Sequence, residues 1–175
     1  MLASEYSTTI NNAHQLQLMQ MAPGASYTLG ANINASATGN STDIWGSSGF
    51  VPIGNAYTTI FTGTFDGLGQ SISNLTIYRP TTNYVGLFGF ANTGSAIRNV
   101  GLVDGSVSGK GYVGGLVGFN GGTVSNSYAT ASVSGTGSYV GGLVGENYGG
   151  TVSNSYATGG VSGSSSGSSE VGGLV

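Results

Sequence analysis

The chain has 175 residues, a formal net charge of −3, no cysteine, and three cations, Arg79, Arg98 and Lys110. Three cations cannot build the basic stripe that nucleic acid requires, and no apolar run is long enough to insert across a bilayer. Disulfides and cysteine-ligated metals are excluded, collagen is excluded because the 34 glycines follow no three-residue period, and disorder is opposed by the 38% of apolar residues, which recur in register.

The opening MLASEYSTT has neither a basic nor an apolar region and does not read as a signal peptide. Residues 10–22 read as a helix, with Asn11 or Asn12 as N-cap, and Ala13, Leu16 and Met19 on one face with Leu18 and Met21 beside it. Pro23 and Gly24 stop it, so residues 1–24 form an amino-terminal segment whose helix caps the rest of the chain. From Ala25 the pattern changes to short strands separated by Gly, Asn and Ser. Tyr27 to Ile33 and Phe50 to Gly54 are two such runs, and the polar stretch Asn34 to Ser48 between them is expected to leave the body as a loop. Phe61 to Ile77 alternates strictly, with Asp66-Gly67 as its turn. Residues 25–83 are therefore read as the first coils of a stacked structure.

From Tyr84 to the end the chain repeats itself. YVGLFGF opens one unit at Tyr84, YVGGLVG opens the next two at Tyr112 and Tyr139, and EVGGLV opens a truncated fourth at Glu170. Asn74, Asn99, Asn126 and Asn154 follow one another at 25, 27 and 28 residues, each two positions after an aliphatic: Ile72, Ile97, Val124 and Val152. Leu87, Leu116, Leu143 and Leu174 form a second column, Val107, Val133 and Val161 a third, and Tyr84, Tyr112 and Tyr139 a fourth. One residue per column per repeat predicts an all-β parallel β-helix, right-handed by the rule for strand connections, with a short amino-terminal helix as cap. Roughly five coils at a ~4.8 Å strand spacing give a rod about 25 Å long. Asn suits the bends because it tolerates left-handed backbone, and Gly114-Gly115 and Gly141-Gly142 suit sharp corners. Leu75 and Ile77 follow Asn74, whereas Ser127 and Tyr128 follow Asn126, which predicts a bulge or a change of face. Val175 stops mid-motif with no visible cap, so the chain is expected to be a piece of a longer protein.

The core Gly86-Leu87-Phe88-Gly89, repeated as Gly115-Leu116-Val117-Gly118 and Gly142-Leu143-Val144-Gly145 and followed by NSYATG-like text, resembles the GLUG repeat. The stretches QLQLM, YTLGANI, GFVPIG and FTGTFDGLGQSISNLTI resemble the region preceding such repeats in large bacterial surface proteins similar to filamentous-haemagglutinin-type adhesins. The resemblance implies a secreted, cell-surface location and a host or matrix glycan or protein as partner, besides the neighbouring repeats of the parent chain. GLUG repeats also occur in large secreted IgA-type metallopeptidases, where the resemblance implies a stalk and not the catalytic part.

Few residues offer chemistry. Glu5, Asp43, Asp66, Asp104, Glu146 and Glu170 are the acids, and a polysaccharide-processing β-helix needs at least two of them converging. His14 is the sole histidine, too few for a metal site or triad, and no HExxH or phosphate-loop motif is present, so no cofactor is expected. The tyrosine columns, with Tyr128 and Tyr156, either bind sugar rings or stack on one another. Asn34, Asn40 and Asn74 open N-x-S/T sequons, of which the two in the loop could carry glycan. A single Thr62-x-Thr64 is no ice-binding ladder. The expectation is a non-enzymatic structural and adhesive segment of a secreted surface fibre, displaying loops 34–48 and 163–169; the alternatives are a β-helix polysaccharide-processing enzyme or a passive stalk.

Overall fold

Stretches in which one apolar residue is flanked by small polar ones become strands of two to four residues, since only the central side chain needs burial. A computed structural model, describing residues 2–55, 58–164 and 170–175, stacks these strands into five sheets. Sheet A holds Thr9–Ile10, Ser26–Leu29, Thr64–Asp66, Ala96–Arg98, Thr123–Ser125 and Thr151–Ser153. Sheet B holds Ile33–Asn34, Ser71–Ser73, Gly101–Val103, Tyr128–Ala129 and Tyr156–Ala157, and sheet C holds Thr76–Tyr78, Ser106–Gly109, Ser132–Gly135 and Val161–Gly163. Sheet D holds Val113–Gly114, Val140–Gly141 and Val171–Gly172, and sheet E holds Phe88–Ala91, Val117–Asn120 and Val144–Asn147. One coil runs through A, B, C, D and E in turn, and every strand pairs in parallel with its equivalent one coil away. The architecture is an all-β parallel solenoid of about four coils with the opening strands of another.

The interior consists of columns. Tyr27, Phe65, Ile97, Val124 and Val152 succeed one another in sheet A, and Ile33, Ile72, Leu102, Ala129 and Ala157 in sheet B. Ile77, Val107, Val133 and Val161 line sheet C. Leu87, Leu116 and Leu143 are wholly buried between sheets D and E, while Leu174 remains 36% exposed. Side chains shrink along the rod, from Phe61, Phe65 and Phe88 in the early coils to Val and Ala later, so burial per coil falls in the same direction.

Two columns are corrected by this register. Ile72 and Asn74 do not precede Ile97 and Asn99; Ile72 pairs with Ile33 and Leu102 in sheet B, and the Asn74 N–H donates to Val103 O. The 25-residue interval joined two different corners. Both corners demand left-handed backbone, with φ of 57° at Asn74, against 56°, 49° and 46° at Asn99, Asn126 and Asn154, so the same residue type marks either one. The expected bulge is also absent. Ser127 and Ala129 point inward around an outward Tyr128, as Val100 and Leu102 do around Gly101, and a side chain on Gly101 would collide with the Tyr128 ring.

At the turn after Thr64–Asp66, Leu68 (φ 52°) and Gly69 (φ 81°) occupy the two central positions, closed by Gln70 N–H to Gly67 O at 2.8 Å. The turn therefore lies one step beyond Asp66-Gly67, and Asp66 supports it by accepting the Leu68 N–H at 2.9 Å. Leucine resists left-handed backbone, and this one is 60% exposed. Leu68→Asn, which creates the Asn-Gly pair favoured here, is expected to raise stability by about 1 kcal/mol in urea unfolding; no gain would show that Leu68 has a compensating contact.

The helix spans Ala13–Leu18 and passes into a 3-10 turn, Met19–Met21; Asn12 caps it, accepting the Gln15 N–H at 2.9 Å. It is shorter than residues 10–22 because Ile10 is drawn into sheet A opposite Leu29. Ala13, Leu16 and Met19 are buried, while Met21 is exposed. Buried Gln17 ties this segment to the coils: its Oε1 accepts Trp45 Nε1–H at 3.0 Å and Val51 N–H at 2.9 Å, and its Nε2 donates to Val51 O at 2.9 Å.

Residues 34–48 do not leave the body. They form 3-10 turns at Ser36–Gly39 and Gly46–Ser48, with Ala35, Thr38 and Trp45 buried. The reason is the edge of sheet C. Among the described residues no strand pairs with Thr76–Tyr78 on its amino-terminal side, only an isolated bridge joins Gly49 to Ile77, and an open edge is costly. Thr38 Oγ1 accepts the Thr76 N–H at 2.9 Å, and the Phe50 N–H donates to Thr76 O at 2.9 Å, so this segment covers the edge.

Candidate functional site

Glu5, Asp43, Asp66 and Asp104 do not converge. Asp66 lies in sheet A, hydrogen-bonded by Arg98 Nε at 2.8 Å and Asn99 Nδ2 at 2.9 Å across one coil step. Asp104 occupies the corner after sheet B, where its φ is 54° and its N–H donates to Thr130 Oγ1. Glu5 accepts the Leu2 N–H and lies 3.6 Å from His14 Nδ1; His14 packs its ring 5.3 Å from Trp45. Asp43 accepts the Ile44 N–H. Among the described residues no three metal-ligating side chains come together.

Burial pushes the Asp66 carboxyl up, but hydrogen bonds from Asn99, the Leu68 N–H and Arg98, with the Arg98 charge, outweigh it and hold it below the usual aspartate value of 3.8. A carboxyl depressed in the fold stabilises it above the unfolded value, and that stability is lost as pH falls through the lower folded value. Stability measured by urea at fixed temperature is therefore expected to drop below about pH 4, and Asp66→Asn is expected to flatten that drop. An unchanged acid limb in the variant would remove Asp66 from its cause.

The outer corner between sheets C, D and E carries a different constellation. Tyr84, Tyr112 and Tyr139 have φ of 61°, 55° and 64°, a conformation unfavourable for tyrosine. Their rings stack along the rod with centroids 4.6 and 4.8 Å apart and planes within 17°. Phe90 and Phe119 stack beside them at 4.3 Å, the Tyr112 and Phe119 rings meet edge to face at 6.3 Å, and Tyr148, 71% exposed, lies 6.0 Å from Phe119. Stacking uses the ring faces that a sugar would need, so along most of the column only ring edges face outward. Tyr128 and Tyr156 form a separate stack over sheet B at 5.2 Å.

The two columns change character one coil apart. Glu146 takes the position after Phe119, with which it pairs in register, and Glu170 takes the position after Tyr139, since its O accepts the Val140 N–H and Val171 pairs with Val140. Burial, then the charge of Glu170, pushes the Glu146 carboxyl above its ordinary value. The phenylalanine column was not foreseen from the sequence, although its signal was present: the residue after each Gly-Leu-x-Gly reads Phe90, Phe119, Glu146. Buried Asn120, whose Nδ2 donates to Asn147 Oδ1 at 2.7 Å, is a further corner ladder that was missed. The sequon residues Asn34, Asn40 and Asn74 are all exposed, and residues 165–169 of the second expected loop lie outside the described residues.

Residues 109–134 and 136–162 match the family model of the GLUG motif. The chain carries two GLUG motifs. Each runs from the end of sheet C round to the next strand of sheet C, so one motif is one coil. Gly86–Gly89 and Gly173-Leu174, outside the matched residues, occupy the equivalent positions in their own coils. Over 126 residues, 71% of this chain, the sequence is 44% identical to Halomucin of Haloquadratum walsbyi, but the match spans only 1% of that relative. The fold is similar to the crystal structure of a candidate immunoglobulin A1 protease from Bacteroides ovatus, with a TM-score of 0.65 and 23% identity over 95% of this chain and 60% of that one. At that identity the likeness concerns the fold alone. The chain thus spans less than two thirds of either protein.

Proposed function

We propose that this chain is a non-enzymatic rod segment of a large microbial cell-surface protein, setting distance by coil stacking and contacting ligands through outward side chains. The observation that carries the reading is that one GLUG motif makes one coil, with equivalent residues turned inward in register each time and the outward residues free to vary. Such a body is a spacer whose length scales with repeat number. Its similarity to a small part of a very long relative, Halomucin, supports a role as one module among many. Glu5, Asp43, Asp66 and Asp104 are dispersed, each bound to a local backbone or side-chain partner or held at a corner, which supports the absence of catalysis. On this reading adhesion, of the kind filamentous-haemagglutinin-type fibres perform, is carried by the outer face of the coils and not by loop 34–48, which covers a sheet edge.

The test is an array of glycans and matrix proteins probed with the folded chain, with Val124→Asp as the misfolded control. Saturable binding to one ligand class, lost in the control, establishes an adhesive segment. Silence across the array leaves a passive stalk. Polysaccharide turnover that is lost in Asp66→Asn would overturn the reading altogether.

A further inference from the structure

Three asparagines open N-x-S/T sequons, and the fold holds the three segments differently. Asn74 to Thr76 is built into the coils: the Asn74 N–H donates to Val103 O, Leu75 O accepts the Ser106 N–H and Thr76 O accepts the Phe50 N–H, each at 2.9 Å. Asn34 to Ser36 is built in at its start, with Asn34 opposite Ser73 in sheet B, the Ala35 N–H on Ser73 O at 2.8 Å, and Ala35 buried. Asn40 to Thr42 differs. Its backbone bonds stay within one turn, the Asn40 N–H donating to Ala37 O and the Asp43 N–H to Asn40 O, both at 3.0 Å. Among the described residues no hydrogen bond ties 40–42 to another coil, and all three residues are exposed. The Asn40 side chain is itself set. Its Oδ1 accepts the Thr42 N–H at 3.1 Å and the Thr42 Oγ1–H at 2.9 Å, an Asx turn that leaves both Nδ2 protons without an acceptor among the described residues. Asn34 Oδ1 accepts the Ser36 N–H at 3.0 Å without the hydroxyl.

We propose that Asn40 is the glycan acceptor of the folded chain, taking a sugar onto Nδ2 from a donor activated as a glycosyl diphosphate. An amide nitrogen is a weak nucleophile because its lone pair is shared with the carbonyl. Two hydrogen bonds to Oδ1 favour negative charge on that oxygen and so make an Nδ2 proton easier to remove. In the transfer Nδ2 gives up one proton to a base of the transferase and bonds to the anomeric carbon. The anomeric carbon–oxygen bond breaks, and the diphosphate leaves with the bonding pair, so nothing is oxidised or reduced. Access then decides among the three sequons. A transferase must draw the acceptor segment into its own cleft. At 40–42 this opens one local turn, whereas at 34–36 and 74–76 it parts hydrogen bonds between coils. Opening two or three such bonds is expected to slow transfer at least ~10-fold. Modification at Asn40 goes beyond the surface-rod reading and does not depend on it.

The test is to incubate the folded full chain with a soluble, sequon-directed asparagine glucosyltransferase and a nucleoside-diphosphate glucose, under conditions in which the enzyme turns over a short Asn-Ser-Thr peptide, and to locate the sugar by peptide mass spectrometry. The folded chain is expected to gain one hexose, on Asn40, with Asn34 and Asn74 modified at least ~10-fold more slowly. Free peptides spanning each of the three sequons are expected to react at comparable rates, so that the selectivity belongs to the fold. Asn40→Gln should fold as the parent does, since the bonds it disturbs are local, and should leave the folded chain unmodified over the same time. Thr42→Ser, which keeps the hydroxyl, should still be modified at Asn40. Transfer to Asn34 or Asn74 as fast as to Asn40, no transfer to the folded chain while the peptide is turned over, or the same preference already present among the free peptides would each overturn the assignment.

Discussion

Replacing Val124 with Asp is expected to unravel the later coils while leaving the first ones folded. Val124 is wholly buried and lies in the sheet A column between Ile97 and Val152, so a carboxylate there would be surrounded by methyl groups without a donor. A fully buried acid shifts its pKa upward by roughly three to five units, which at pH 7 amounts to about 4 kcal/mol of lost stability. That is a large fraction of what a domain of this size possesses. In a stacked repeat the damage is local, because each coil touches only its neighbours. Amides of residues 123–147 are therefore expected to lose hydrogen-exchange protection, while those around Tyr27, Phe65 and Phe88, with their larger buried side chains, keep it. The sign with pH is fixed: the folded-state pKa of the new acid is raised, so the variant should regain stability as pH falls through that value towards the unfolded one. Val124→Ala, which removes only methyl groups, should cost about 2 kcal/mol and show no such pH dependence. Unchanged exchange at 123–147 in the Asp variant would mean that position 124 faces solvent.

The contrast between early and late coils also explains what could be read from the sequence. From Tyr84 onward the inward residues are nearly identical in each repeat, so Leu87, Leu116 and Leu143, or Val107 and Val133, are visible as columns without any structure. Before Tyr84 the coils are longer. Phe65 to Ile97 takes 32 residues, against 27 and 28 for the next two steps, because the Gly67–Gln70 turn, the stretch after Tyr78 and the Asn92–Ser95 turn add residues. That drift let Ile72 and Asn74 align with the wrong corner. Loop 34–48 looked solvated because its anchors are dispersed, with Ala35, Thr38 and Trp45 set among polar residues, and hydrophobic periodicity has nothing to report there. The tyrosine column was legible as a column, but its left-handed backbone was not, since no propensity argument places tyrosine there. Glu146 and Glu170 appeared as isolated acids because their proximity depends on register between coils, which only the stacking supplies.

Gly114→Ala should cost about 3 kcal/mol, through space and not through backbone freedom. Gly114 lies in sheet D opposite Gly141, and its φ is not positive. A methyl at this position would lie against Val117 O in its own coil, and 2.6 and 2.8 Å from Gly145 N and Leu143 O in the next. All three are backbone atoms packed between adjacent coils, so none can yield without parting two coils. Gly149 offers the comparison. Its φ is 70° and no atom stands within 4 Å of where a methyl would go, so Gly149→Ala strains the dihedral alone and is expected to cost about 1 kcal/mol. For a chain of this length 1 kcal/mol shifts the melting midpoint by about 3 °C. Gly114→Ala should therefore melt roughly 9 °C below the parent and Gly149→Ala about 3 °C below it. Equal shifts would mean that the coils can part at the sheet D corner, and that the paired glycines of the GLUG motif serve its bends and not its close stacking.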